Sequence, residues 1–140
     1  EANFDSSYTI PADTLKAGTT ITYDFLGIHT AQTGSEDHTL LVKLGSTTIA
    51  SKAAIDPGTN DVFSGRCTVT IRTTGGSGTM VGYCSLAFGA SGTGAFVTYN
   101  LASTAVDTTG TLAAAIAIDR QASATDGDSA RLDIMNVTIE

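Results

Sequence analysis

Few residues of this 140-residue chain have the types needed for chemistry: two cysteines, two histidines, and 14 Asp and Glu spread along its length. Cys67 and Cys84 lie in no CxxC pair and are too few to build a zinc site alone. Two chemistries stay open for them. They can close a cross-strand disulfide if the protein matures in an oxidising place, or pack as small buried thiols. His29 and His38 bracket the polar stretch 30–37. Their spacing is not a metal signature, and the close His pair with a downstream Glu of a cupin-type centre is missing. Two histidines at loop edges are expected to be solvated.

The carboxylates gather at Glu36-Asp37, Asp56 to Asp61 and Asp126-Gly127-Asp128. Calcium favours such oxygen-rich loops, and Asp126 and Asp128 are the best candidates for it. None of the three completes the D-x-[DN]-x-[DN]-G loop with its distal Glu, and Asp with Gly is also ordinary turn chemistry. A nucleophile elbow G-x-S-x-G is missing; Gly89-Ala90-Ser91-Gly92 is one residue off. No Gly-rich segment matches a phosphate-binding loop. Asn136-Val137-Thr138 is formally a glycosylation sequon, but it sits inside an expected strand. The expectation is therefore a protein without catalytic residues, metal or cofactor.

The elements that must position these residues read as strands. No segment carries apolar residues at i, i+3, i+4 and i+7; the best helical candidate, Ala12 to Ala17, is one turn at most. Alternation is strong instead. Ile21, Tyr23 and Phe25 share a face, as do Leu40, Val42 and Leu44, and Cys67, Val69 and Ile71. The runs 20–28, 38–44, 47–55, 62–74, 77–88, 95–106, 111–119 and 130–139 give eight strands, with a short ninth near Tyr8 to Ile10. Gly75-Gly76 marks a hairpin. A two-residue loop there sets Ile71 opposite Met80, Val69 opposite Gly82 and Cys67 opposite Cys84, which puts every inward residue on one buried face. The last run breaks parity: Leu132 and Ile134 fall on one face, Val137 and Ile139 on the other. A bulge near Met135-Asn136 or a partner covering both faces reconciles them. Eight antiparallel strands predict an all-β sandwich of jelly-roll type, with residues 1–7 as an N-terminal arm and 8–140 as one domain; the spacing also permits another Greek-key sandwich, and strand order is not readable from the pattern.

Composition narrows the partners. The net charge is -7 and the seven Lys and Arg are scattered, so there is no basic patch for nucleic acid. No apolar run approaches the ~20 residues that cross a membrane as a helix. A surface poor in charge and rich in Thr suits packing against other subunits. Leu112, Ala114, Ile116 and Ile118 form an inward face, which leaves Ala113, Ala115 and Ala117 on the other, to be covered by a neighbouring subunit or by the chain's own loops. These alanines and Phe4 in the arm are the interface candidates. Sugar binding would use aromatic platforms. The chain has no Trp, and of Tyr8, Tyr23, Tyr83 and Tyr99 the last two are expected on faces opposite the core.

The segment Tyr8-Thr9-Ile10-Pro11-Ala12-Asp13-Thr14-Leu15-Lys16-Ala17-Gly18-Thr19-Thr20-Ile21 resembles the opening of jelly-roll domains in tailed-phage virion proteins, an x-I-P-A-x-T-L-x-x-G-x-x-I stretch before an alternating strand. Leu41 to Ala50, turning at Gly45, and Ile71-Arg72-Thr73 followed by Gly76-Ser77-Gly78 continue the likeness in order and spacing. The resemblance implies a virion location as a head-decoration, head-fibre, spike or tail-associated subunit. It also implies a homotrimer that contacts a major capsid or other virion protein, or alternatively a carbohydrate- or receptor-binding module that meets a host-surface glycan. It carries no catalytic residues.

Overall fold

The structure is a computed structural model that describes residues 2–30, 38–55, 58–89, 95–120 and 129–140, without the side chains of 2–6, 95 and 120. It contains nine strands: β1 Ala2–Ile10, β2 Thr20–Thr30, β3 His38–Leu44, β4 Thr47–Ile55, β5 Asp61–Thr73, β6 Gly78–Phe88, β7 Ala95–Val106, β8 Leu112–Arg120 and β9 Ser129–Ile139. No helix occurs among the described residues. The strands form two antiparallel sheets, β1-β8-β3-β4 and β7-β6-β5-β2-β9. This is the all-β sandwich that alternation predicts. The strand order does not confirm the jelly-roll type, since β5, β6 and β7 follow one another as neighbours in a single sheet.

The core lies between the sheets because each strand turns one parity inward. Ile21, Tyr23, Phe63, Val69, Ile71, Met80 and Leu86 from the larger sheet meet Leu40, Val42, Leu44 and Ile116 from the smaller, all at most 1% exposed. Two mid-strand glycines make room for aromatic rings. Gly65 faces Phe25 across β5 and β2, and Gly27 faces Phe63. A Cβ at Gly65 would collide with the Phe25 ring and Leu86, and one at Gly27 with the Phe63 ring and the Arg131 carbonyl.

The β5–β6 register is the expected one: Ile71 pairs with Met80, Val69 with Gly82 and Cys67 with Cys84. The loop differs. β5 ends at Thr73 and β6 begins at Gly78, so residues 74–77 make the turn, and an irregularity between Ile71 and Thr73 restores the register. In β9 the parity break is a bulge. Leu26 pairs with Ile134 and Gly27 with Leu132, which leaves Asp133 as the extra residue. Leu132, Met135 and Val137 then pack on the core while Ile134 turns outward at 49% exposed.

Three expectations need correction here. Residues 2–7, read as part of an arm, belong to β1, which pairs with β8 from Ala2↔Ile118 to Ile10↔Leu112. Backbone pairing holds this segment against the sheet. Phe4 lies in β1, and its side chain is outside the described residues. The alanine face of β8 is largely closed within the single chain: Ala115 is 4% exposed and Ala117 fully buried, while Ala113 alone is open. A methyl in a central strand is short. Lys43 and Leu41, half-buried on β3, are the cross-strand partners of Ala115 and Ala117. Tyr99, expected opposite the core, packs against it.

Candidate functional site

Residues that could serve chemistry or binding fall in three places: the disulfide, a buried histidine pair, and the outer face of the larger sheet. Cys67 and Cys84 form a disulfide between directly paired positions of β5 and β6. Both are buried, at 0% and 1% exposed. Of the two chemistries open to them, the structure has the cross-link.

The histidines are not solvated, contrary to expectation. His29 is 1% exposed and His38 fully buried. Their strands belong to different sheets, so the pair spans the sandwich near its end, with ring centroids 5.6 Å apart. The Phe63 ring meets His29 edge-on at 5.4 Å. Parity explains the burial: His29 continues the inward series Ile21, Tyr23, Phe25, and His38 begins the series Leu40, Val42, Leu44. Burial first, then the nearby His38, lowers the pKa of His29 from 6.5 to about 4, against a weaker opposite pull from Asp61, its cross-strand partner. Neither ring nitrogen of His29 has a hydrogen-bond partner among the described residues. Among the described residues no three His, Cys, Asp or Glu side chains stand where they could hold a metal. The calcium candidates Asp126 and Asp128, together with Glu36, Asp37 and Asp56, lie outside the described residues.

The third place is the outer face of β7-β6-β5-β2-β9. Pairing lines up Phe96, Ala87, Ser64, Leu26 and Ile134 as one row across all five strands. Phe96 is 69% exposed, and Leu26 and Ile134 are also open. The small side chains of Ala87 and Ser64 leave a depression of about 360 Å³ between these apolar walls. The next row is polar, with Asp24, Arg66 and Ser85 bordering the same depression. Arg66 Nε lies 3.6 Å from Asp24 Oδ1, and both side chains are well exposed. That separation makes an ion pair without a hydrogen bond. The donors of the guanidinium and the lone pairs of the carboxylate therefore face solvent. Tyr83 also turns outward on this face, at 48% exposed, as expected.

The sequence reading missed this row. Its signal is parity: Leu26 sits off the Tyr23 and Phe25 series, and Phe96 off the Val97, Tyr99 and Leu101 series. Strand order, which periodicity does not carry, is what brings them into line. The chain was compared with protein-family models, curated proteins and solved structures, and it matches none of them.

Proposed function

We propose that this chain is a non-enzymatic contact domain of a tailed-phage virion, of the decoration, spike or adhesin type, whose working surface is the outer face of its larger sheet. The virion assignment is supported by the resemblance carried by the Tyr8 to Ile21 segment and the turns that follow it. The observation that carries the contact role is the exposed row Phe96, Ala87, Ser64, Leu26, Ile134, displayed on a five-strand ladder. Monomeric soluble domains scatter their exposed apolar side chains, whereas an aligned set rimmed by polar residues marks a surface that meets something. The opposite outer face is a poor candidate, because Ala115 and Ala117 are already covered within the chain.

The test is a virion carrying Leu26→Ser, Phe96→Ser and Ile134→Ser together. All three side chains point away from the core, so the isolated domain should unfold at nearly the wild-type urea midpoint. Incorporation into particles or adsorption to host cells should fall at least tenfold. Unchanged incorporation together with unchanged adsorption overturns the contact reading. The homotrimer implied by the resemblance is checked by light scattering, which should return three times the 14.2 kDa chain mass.

A further inference from the structure

We propose that the depression on the outer face of the larger sheet is a binding site for a neutral glycan, one or two pyranose rings lying across β5 and β6. The inference rests on the contact reading above and names what that surface meets.

Size comes first. Phe96 on β7 and Leu26 on β2 are three strand spacings apart, about 14 Å at ~4.8 Å per strand. That span and the 360 Å³ between them suit a ligand of one or two rings. A stable protein partner would need an area on the order of 1,000 Å².

Chemistry selects the ligand class. One side of the depression is apolar, with Phe96 offering an open ring face and Leu26 and Ile134 offering aliphatic surface. The other side presents the Ser64 and Ser85 hydroxyls, the Asp24 carboxylate and the Arg66 guanidinium, none of which makes a hydrogen bond among the described residues. A pyranose has this same division, a face of C–H groups and an equator of hydroxyls. Its C–H face can lie on the Phe96 ring while neighbouring hydroxyls donate to Asp24 and accept from Arg66. A wholly apolar ligand would bury those four polar groups without hydrogen bonds. Charge decides between neutral and acidic sugars. Asp24 cancels Arg66 within the site, and the chain as a whole carries -7, so a sialylated or sulfated glycan finds no net attraction.

The experiment uses the full chain on an array of neutral, sialylated and sulfated oligosaccharides. It is followed by amide chemical-shift titration with lactose, maltose and mannobiose at millimolar concentration. Neutral glycans should bind, and the shifts should centre on Leu26, Ser64, Arg66, Ala87 and Phe96. Phe96→Ala and Arg66→Ala should each weaken binding at least tenfold with the urea midpoint unchanged. A blank array, a preference for acidic glycans, shifts centred elsewhere, or variants that bind like wild type each overturn the proposal. The two readings separate cleanly. If the triple serine variant loses attachment while the array stays blank, the glycan assignment fails and the contact role stands.

Discussion

His29 makes the stability of this domain depend on pH in a defined window. Its pKa falls from 6.5 in the open chain to about 4 in the fold. The folded protein therefore holds the ring neutral over a range where the unfolded chain protonates it. Stability is complete above about pH 6.5 and is lost as pH falls toward about 4, below which this contribution is flat. At pH 5 the unfolded chain is almost fully protonated at this position and the folded chain only about one-tenth so, which shifts the folding equilibrium about 30-fold and removes about 2 kcal/mol. For a domain of this length that lowers the melting temperature by about 7 °C. The groups facing His29 are His38 on β3 and Asp61 and Phe63 on β5. The assay is urea unfolding of wild type and His29→Leu at pH 7.5 and pH 5. Leucine matches the ring in volume, and titrating groups that do not interact with His29 cancel in the difference. Wild type should lose about 2 kcal/mol more than the variant between the two conditions. Equal losses would refute the claim that a buried neutral His29 sets this dependence.

Five further outcomes follow from the packing. Replacing both Cys67 and Cys84 by Ala should lower stability by about 3 kcal/mol in urea titrations, because the cross-link closes a loop with a sequence separation of 17. Gly65→Ala should cost about 1–3 kcal/mol, since the new methyl collides with Phe25 and Leu86 in the core. Gly110→Ala meets nothing within 4 Å and should be neutral or slightly stabilising under the same titration. Tyr23→Phe should cost about 1 kcal/mol, the hydroxyl of this buried ring being a donor to the Lys43 carbonyl at 3.3 Å. Finally, deleting residues 2–7 should lower the urea midpoint by stripping backbone partners from β8, where a free arm would leave it unchanged.

Local pattern was enough to write most of the strands. Eight expected runs coincide with β2 through β9 to within about two residues at their ends, because side chains alternate with period two wherever one face is buried. The same rule placed Cys67 opposite Cys84, since a slip by one residue would have turned Val69 and Ile71 to solvent. The parity break in the last strand announced a bulge, though its position at Asp133 depends on how β9 meets Leu26 and Gly27 of β2.

What tertiary structure decided is everything that depends on which strands are neighbours. Periodicity is a property of one strand and is silent about the order of the sheet. For that reason the alanines of β8 looked like an open face until Leu41 and Lys43 were seen beside them. His29 and His38 looked like loop-edge residues, yet each ends or begins an inward series, and only the packing of one sheet on the other turns them toward each other. The row from Phe96 to Ile134 is the clearest case. Its five members come from five separate strands, and hydrogen-bonded register alone makes them one surface. The sequence by itself determined a β-sandwich core with a cross-strand cysteine pair. The assembled sheet determined where that sandwich exposes an aligned apolar row, because such a row is made of residues whose only relation is their place in the ladder.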